Sequence, residues 1–319
     1  MPRDDTYRYA AGVFAAGCGL LGGAGLLASV LTVEVRIPVL LAGWTPMLLV
    51  VTMIGAVAAT LARRWLVQVG CLLVCALGVW LLAPLYLAGP TVTATGPTLR
   101  VLQANVKVGQ ADPVALVDTI RDRDVDVVTV QEVTDESITG LAAAGLDELL
   151  PHRYLVPLGP GGLGGGIYSR FPLSNTRMLD GYLSANLAAD LDVGRAEPVA
   201  LFAVHPAPAY LFPAPMWAAE LRALGREFAA ADHDTVIAAG DFNASWTQRQ
   251  YRDLLTGGYV DAADQAGAGM LPTMPAHRWY PAVTGIDRII TRGAAVTHLE
   301  RVPITGSDHH GLIADIRLR

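Results

Sequence analysis

Asp241 and Asn243 lie two positions apart at the end of an apolar stretch, VIAAGDFNAS, which covers residues 236–245. Such a run is typical of a buried strand, and side chains two positions apart in an extended chain point to the same side. A carboxylate beside an amide is suited to holding a metal-bound water and an oxyanion. A strand that ends in a plain turn produces the same pattern, so this stretch alone leaves both interpretations open.

Similar polar side chains accompany other apolar runs along the chain. They are Asn105, Glu132, His205, Asp287, Asp308 and His309, of which Asp287 lies inside its run and the others follow theirs. Each alone could be a turn, a cap or a satisfied polar residue. A parallel or mixed sheet, however, gathers such strand ends in one cleft. Together they therefore predict one site that combines carboxylates, amides and imidazoles.

The elements that must position these residues alternate between apolar runs and helical patterns from residue 99 onward. Strands are predicted at residues 99–104, 125–130, 199–204 and 235–239, and helices at residues 112–123, 134–144 and 213–231. Asp112 and Pro113 suit the cap and the first position of a helix. Taken alone, this alternation favours an α/β fold with a doubly wound sheet.

The first 89 residues have a different composition. Between Tyr9 and Gly89 there are four charged residues, and three apolar runs cover about residues 10–32, 38–62 and 66–88. Each run is long enough to cross a bilayer of ~30 Å as a helix. We therefore predict a membrane region at residues 1–89 with three transmembrane helices, a linker at residues 90–98 and a globular domain at residues 99–319.

Basic residues predict the orientation of these helices. Arg3 and Arg8 precede the first run, and Arg63 and Arg64 separate the second from the third. Three spans place both segments on the same side, and the positive-inside rule makes that side the cytoplasm. The protein is then a multi-pass protein of the cell membrane with a cytoplasmic N-terminus and an extracytoplasmic globular domain.

The globular part is acidic. It holds 18 of the 23 Lys and Arg residues and 26 of the 29 Asp and Glu residues, which gives it a net charge of −8. Sequence-independent binding of nucleic acid usually rests on a basic surface. The charge therefore disfavours nucleic acid as a partner.

Seven short motifs follow one another along the globular part. They are a strand ending at Asn105, VQEV at 130–133, YSRFP at 168–172, AVHP at 203–206, GDFN at 240–243, GIDRI at 285–289 and GSDHHG at 306–311. In content and order they resemble the endonuclease/exonuclease/phosphatase superfamily, and the resemblance covers residues 99–319. It implies a four-layer α/β/β/α sandwich of two mixed sheets, not a doubly wound sheet. The three transmembrane helices predicted from the apolar runs precede this domain.

The resemblance also implies which residues bind the metal and the substrate. Glu132 is similar to the main ligand of a divalent ion, Mg²⁺ with Mn²⁺ as the alternative. Asn105 resembles the asparagine that supports the metal or the phosphate, and Asp308 lies beside the metal. Family members often place a middle-loop tyrosine or arginine on the phosphate, and Tyr168, Arg170 and Tyr154 are the candidates for that role.

The catalytic roles come from the same resemblance. Asp241 resembles the residue that orients or deprotonates the attacking water, and Asn243 the one that holds this water or a phosphoryl oxygen. His309 is similar to the histidine that binds the phosphate, with Asp287 fixing its orientation, and the adjacent His310 stays open as the alternative. His205 resembles the second histidine, which is often the general acid for the leaving group.

The function implied is hydrolysis of a phosphodiester, phosphomonoester or pyrophosphate at the outer face of the membrane. The acidic domain and the short linker favour a lipid-linked phosphate at the bilayer over free nucleic acid. Three spans before such a domain also resemble the actinobacterial VanJ-like proteins associated with teicoplanin resistance, which suggests a cell-wall lipid carrier. Two alternatives stay open, an extracytoplasmic nuclease and a non-catalytic membrane-tethered binding module.

Overall fold

A helical N-terminal region precedes two six-stranded sheets in the computed structural model, which describes residues 2–89, 93–159 and 161–319. The helical region contains α1 (Pro2–Val30), α2 (Arg36–Gly43), α3 (Thr45–Leu61) and α4 (Trp65–Leu82), followed by a 3₁₀ turn at Ala83–Tyr86. Two stretches, Thr6–Val30 and Trp65–Tyr86, are helical, long and apolar enough to cross a membrane. A third span results if α2 and α3 are counted together.

The second apolar run of the sequence is broken where one continuous helix was expected. α2 and α3 meet at an angle of 70°. Trp44 separates them, and a proline lies in the first turn of α3, where its missing N–H is tolerated. α2 is therefore a separate short helix that changes the direction of the chain.

The globular part contains twelve strands and six helices within the described residues. The strands are β1 (Thr98–Asn105), β2 (Val127–Gln131), β3 (His152–Val156), β4 (Gly165–Ser169), β5 (Leu173–Met178), β6 (Leu187–Leu191), β7 (Val199–Val204), β8 (Val236–Asp241), β9 (Val260–Asp261), β10 (Asp287–Arg292), β11 (Ala294–Pro303) and β12 (His310–Leu318). The helices are α5 (Pro113–Asp122), α6 (Asp135–Ala143), α7 (Leu146–Leu149), α8 (Ala214–Ala230), α9 (Arg249–Arg252) and α10 (Ala262–Ala266). The Asp112 side chain caps α5 by accepting from Val114 N and Ala115 N, as the sequence predicts.

Each sheet is mixed and contains one parallel pair. The strand orders are β11-β12-β1-β2-β4-β3 and β5-β6-β7-β8-β10-β9. β1 runs parallel to β2, and β7 runs parallel to β8, whereas the remaining pairs are antiparallel. The two parallel pairs occupy equivalent central positions, so both sheets direct two strand ends to the same edge.

The sheets pack face to face and carry helices on their other faces. Apolar residues such as Val101 and Val127 from the first sheet share one core with Leu201 and Ile237 from the second. A second core joins the first sheet to α5 and α6, and α8 packs on the second sheet. The predicted α/β/β/α sandwich is confirmed, and the doubly wound sheet that alternation alone favoured is wrong.

The globular part rests directly on one end of the helical region. Its side chains donate to backbone oxygens there: Arg252 Nη2 to Ser29 at 2.6 Å, Gln248 Nε2 to Val39 at 3.1 Å, and Trp246 Nε1 to Leu81 at 2.9 Å. Of the predicted linker, residues 90–92 lie outside the described residues. Just before them, Gly89 N donates to Asp264 O at 3.0 Å, so the helical region is already in contact with the sandwich at that point.

Candidate active site

The candidate site lies where the carboxyl ends of both parallel strand pairs meet. Asn105 ends β1 and Asp241 ends β8, while Glu132 and His205 directly follow β2 and β7. β10 and β12 run antiparallel to β8 and β1, so their first residues return to the same edge. This return brings Asp287 and His309 to the same place. The topology thus explains why residues so far apart in the chain share one cleft.

Asn105 ties the two principal carboxylates together. Its Nδ2 donates to Glu132 Oε1 at 2.9 Å and to Asp241 Oδ2 at 3.2 Å. Glu132 Oε2 accepts from Val108 N at 2.8 Å. Glu132 has a positive φ of 65°, a conformation that L residues rarely adopt and that recurs at functional sites. The backbone after β2 is therefore held in a strained turn that points this carboxylate into the cleft.

Asp241 is buried beside two histidines. Its Oδ2 lies 3.8 Å from His309 Nε2 and 3.9 Å from His205 Nε2, and its Oδ1 accepts from Asn243 N at 2.8 Å. Burial raises the pKa of the Asp241 carboxyl, and the charge of Asp287 raises it further. The Asn243 side chain donates through Nδ2 to Pro206 O at 2.9 Å, which fixes the turn after β8.

Asp287 and His309 form a buried ion pair. His309 Nδ1 lies 2.8 Å from Asp287 Oδ2, while Asp287 Oδ1 accepts from Gln103 Nε2 at 2.7 Å. Burial opposes protonation of His309, but the charges of Asp287 and Asp241 outweigh it and raise the pKa of this imidazole. The raised pKa favours the protonated form of His309, whose Nε2 lies 3.8 Å from Asp241 Oδ2 in the cleft.

His205 is a neutral imidazole in the same cleft. Burial, together with the nearby charge of His309, lowers its pKa to about 4. Its ring Nε2 lies 3.9 Å from Glu132 Oε1, and its Nδ1 has no hydrogen-bond partner among the described residues. The backbone N–H of His205 donates to Asn186 Oδ1 at 2.7 Å, which fixes this residue after β7.

Possible ligands for a metal ion come together in the cleft. Asp241, Asp287 and His309 have ligand atoms within 4.8 Å of one another. Glu132 is joined to Asp241 through Asn105 Nδ2, and its pKa is raised by burial and further by the charge of Asp308. Asp287 and His309 already bind each other. Outside this ion pair, Glu132, Asp241 and Asp308 offer carboxylate oxygens to an ion.

The prediction that Tyr168 and Arg170 contact the phosphate is wrong. β4 runs antiparallel to β2, so its end lies at the sheet edge opposite to Glu132. Tyr168 is fully buried in the core between the first sheet and its helices. Arg170 forms ion pairs with Asp124 at 2.7 Å and Asp126 at 3.0 Å, which lie just before β2.

Other polar residues around the site were not predicted from the sequence. Gln103 lies two positions before Asn105 and so on the same strand face, a signal that alternation could have supplied. Tyr210 faces the carboxylates: burial raises its pKa to about 12, and the charges of Asp241 and Glu132 contribute. Lys107 lines the cavity beside Asp308. Neither Tyr210 nor Lys107 follows a strand directly, so no pattern marked them.

Residues 102–309 match the model of the Endonuclease/Exonuclease/phosphatase family, and this match spans more than half of the chain. The chain belongs to this family. Its members are hydrolases that act on phosphoric esters and use divalent metals. The family match therefore agrees with a cleft built from carboxylates and imidazoles, although it assigns neither the ion nor the substrate of this chain.

Solved structures of the same fold are similar to the globular part. A humanized D. rerio TDP2 has a TM-score of 0.58 and 18% identity, and covers 69% of this chain and 98% of its own. An endonuclease/exonuclease/phosphatase from Bacteroides vulgatus has a TM-score of 0.56 and 17% identity, and covers 70% of this chain and 100% of its own. An AP endonuclease from Archaeoglobus fulgidus has a TM-score of 0.55 and 14% identity, and covers 68% of this chain and 98% of its own. No curated protein matches the sequence.

Proposed function

We propose that the protein is a divalent-metal-dependent hydrolase of a phosphoric ester or pyrophosphate, active at the outer face of the membrane on a lipid-linked phosphate. The observation that carries this proposal is the convergence of six strand ends on one buried cleft. There Asn105 bridges Glu132 and Asp241, and the cationic His309 lies beside Asp241. Such a cleft offers an anionic and a cationic side to one phosphate group.

The donor set of the cleft fits Mg²⁺, with Mn²⁺ as the alternative. Glu132, Asp241 and Asp308 supply carboxylate oxygens, which hard divalent cations prefer, and the three cysteines all lie in the helical region. Glu132 would hold the ion, with Asn105 and Asp308 beside it. When bound, the ion neutralises the charge of the phosphate.

Different residues of this chain would carry out the remaining steps of hydrolysis. The water oxygen bonds to phosphorus, the bond from phosphorus to the leaving oxygen breaks, and the leaving oxygen takes up a proton. Asp241 accepts the proton of the water, and Asn243 holds the water or a phosphoryl oxygen. His309 stabilises the phosphoryl oxygens, because preorganised donors favour the charge that develops there.

His205 is the proposed proton donor to the leaving oxygen. Its imidazole is neutral in the buried cleft without substrate. A bound phosphate brings negative charge next to the ring, and an adjacent anion favours the protonated form of a histidine. Substrate binding would therefore charge His205 at the point where a proton donor is needed.

The position of the helical region supports a lipid-linked substrate. The contacts of α1, α2 and α4 with the sandwich lie at the end of the helices away from Arg63 and Arg64. If those arginines are cytoplasmic, the cleft lies on the extracytoplasmic side of the membrane, close to the bilayer surface. The net charge of −8 over residues 99–319 disfavours nucleic acid.

An extracytoplasmic nuclease is the second candidate. The AP endonuclease from Archaeoglobus fulgidus and a D. rerio TDP2 complexed with a single-strand DNA product have this fold. At 14% and 17% identity these structures carry the fold alone. A non-catalytic binding module is the third candidate, and the complete set of carboxylates and histidines speaks against it.

A substrate panel with the purified full chain tests these candidates. The panel contains undecaprenyl pyrophosphate, sphingomyelin, phosphoinositides, and single- and double-stranded DNA, each with Mg²⁺ and with a chelator. We expect release of phosphate from the lipid-linked substrate, dependence on Mg²⁺, and a loss of at least about a hundredfold for Glu132→Gln and Asp241→Asn.

Each other outcome has a clear meaning. Cleavage of DNA alone would favour the nuclease. Activity that survives both substitutions, or the absence of activity on every substrate, would contradict the enzyme proposal. Thr129→Val serves as the control, because Thr129 is buried between the sheets and has no side-chain hydrogen bond among the described residues.

A further inference from the structure

A cavity of about 560 Å³ joins the candidate active site to the helical region. Asn243 and Asp308 of the catalytic cleft line it, and so do Leu40, Gly43 and Trp44, which lie at the break between α2 and α3. The volume lies within the range of about 300–1,000 Å³ that is usual for small-molecule sites. One space therefore touches both the phosphate chemistry and the helices that lead into the membrane.

The lining of this cavity suits an amphiphile. Much of the lining is apolar or aromatic and comes from both parts of the chain: Leu40, Trp44, Tyr210, Met274, Tyr280, Val283 and Ile286. The cations Lys107 and Arg278 also line it. The apolar side chains would contact the apolar chain of such a ligand, and the two cations would attract its anionic group.

The packing of α2 keeps this space open at the membrane end of the domain. Gln248 Nε2 donates to Val39 O, and Arg36 donates to Tyr210 O, which holds α2 against two loops of the sandwich. Gly43 has no side chain to fill the space between them. The chain bends by 70° after α2, and residues at this bend line the cavity.

Aromatic side chains near the cavity are exposed in a way that fits a bilayer surface. Trp279 is 95% exposed and lies between the lining residues Arg278 and Tyr280. Trp44 is 48% exposed at the start of α3. Tryptophan is enriched where membrane proteins cross the interface between water and lipid. The cavity therefore lies next to surfaces suited to the headgroup region.

We infer that this cavity binds the apolar chain of an amphiphilic phosphate ester whose phosphate enters the cleft of Glu132, Asp241 and His309. The inference rests on the proposed hydrolase function. It adds where the apolar chain of the substrate binds and which residue sets the preference for a long apolar chain. Gly43 is that residue. A Cβ at Gly43 would make ordinary contacts, 3.5 Å from Gln248 Nε2 and 3.8 Å from Ser245 Oγ, so a small side chain fits and a large one fills the cavity.

Two chromogenic esters with the same scissile bond test the preference. Ethyl and dodecyl p-nitrophenyl phosphate differ in chain length alone, and burying each methylene strengthens binding by about fourfold. The readout is the ratio of kcat/KM for the dodecyl ester to that for the ethyl ester, measured with the full chain, Mg²⁺ and a detergent that dissolves both esters. We expect the wild-type chain to favour the dodecyl ester by at least about a hundredfold.

Gly43→Leu should lower this ratio by at least about tenfold, because its side chain occupies the space of several methylenes. Gly43→Ala should lower it less. Gly70→Leu is the matched control: Gly70 lies in α4, and a Cβ there would meet nothing within 4 Å. It should leave the ratio at the wild-type value. A ratio that stays unchanged in Gly43→Leu would overturn the inference, even if both rates fall.

Photo-crosslinking separates this inference from the proposed function. Dodecyl phosphate with a diazirine at the end of its chain is added to the Glu132→Ala chain, which should bind without turnover. Labelling concentrated at Leu40, Trp44 and residues 274–286 supports the cavity even if no ester is hydrolysed. Labelling spread evenly over the exposed faces of α1 and α4 would contradict it even if hydrolysis occurs.

Discussion

The orientation of His309 depends on a chain of hydrogen bonds between the two sheets. Gln131 Oε1 accepts from Gln103 Nε2 at 2.8 Å, and the same Nε2 donates to Asp287 Oδ1 at 2.7 Å. Asp287 Oδ2 then binds His309 Nδ1 at 2.8 Å. All four side chains are buried, so water cannot replace a lost partner. Gln103 is therefore a positioning residue that acts through Asp287.

Gln103→Leu should lower kcat by about tenfold and leave KM nearly unchanged. The substitution removes the donor to Asp287 Oδ1, and a buried acceptor without its partner costs about 1–3 kcal/mol. Losing 1.4 kcal/mol from the transition state alone is about a tenfold change in rate. Steady-state kinetics on the best substrate of the panel measure the effect.

Gln103→Glu and Thr129→Val complete this experiment. Glutamate keeps the shape but places a second carboxylate against Asp287, so it should be at least as damaging as leucine. Thr129 of β2 lies beside Gln103, and its side chain has no hydrogen-bond partner among the described residues, so valine there should leave kcat unchanged. An equal loss in Thr129→Val would show that general packing, not the hydrogen-bond chain, is responsible.

Tyr168→Phe and Arg170→Ala should both keep wild-type kcat/KM. The Tyr168 hydroxyl has no hydrogen-bond partner among the described residues, and Arg170 pairs with Asp124 and Asp126 at the far end of β2. Neither side chain can reach a phosphate held at Glu132. The same kinetic assay checks this, and a loss of more than about tenfold in either variant would contradict the geometry.

At the scale of elements, the sequence predicted best where apolar runs end in polar residues. β7 and β8 are short apolar runs whose ends carry His205 and Asp241, and both features are local. β5 was not predicted because five of its six residues are exposed and its sequence, LSNTRM, lacks alternation. Tyr168 and Arg170 were misplaced because the direction of β4 relative to β2 depends on long-range pairing, which no local pattern encodes.

The break between α2 and α3 was missed for a related reason. Residues 38–62 are apolar on both sides of Trp44, so hydropathy alone reads them as one span. Besides the proline in the first turn of α3, packing on the sandwich holds α2 apart from α3, because Gln248 Nε2 donates to Val39 O. A contact between residues so distant in sequence leaves no trace in the composition of either segment.

Arg252→Ala should lower the unfolding free energy of the full chain in detergent by about 2 kcal/mol. Arg252 donates to Trp246 O and to Ser29 O, each at 2.6 Å, and so joins α9 to the end of α1. Alanine leaves both carbonyls without this charged donor. Thermal unfolding followed by tryptophan fluorescence measures the change as a lower midpoint.

Arg249→Ala is the control on the same short helix. Arg249 pairs with Asp253 at 2.5 Å, and both side chains are 47% exposed, so this ion pair contributes little to stability. The thermal unfolding midpoint of Arg249→Ala should match the wild-type value. If Arg252→Ala also matches the wild-type midpoint, the contact between α9 and α1 does not stabilise the docking of the sandwich on the helices.

At the scale of the whole molecule, the contacts between the two parts lie at one end of the helices. α1 ends and α3 begins near the sandwich, whereas the turn from α3 to α4 carries Arg63 and Arg64 at the other end. A single membrane crossing by each helix would then separate the arginines from the catalytic cleft. Our proposal that the arginine end is cytoplasmic rests on the positive-inside rule.

Cysteine labelling in intact cells tests this arrangement. Cys18, Cys71 and Cys75 are free and buried, so a cysteine added at an exposed position can be labelled selectively. Asp180→Cys in the sandwich should react with a membrane-impermeant maleimide from outside. Trp65→Cys, beside the arginines, should react only after the cells are made permeable. The reverse pattern would place the cleft in the cytoplasm and remove the support for an outer-leaflet substrate, while the hydrogen-bonded geometry of the site would be unaffected.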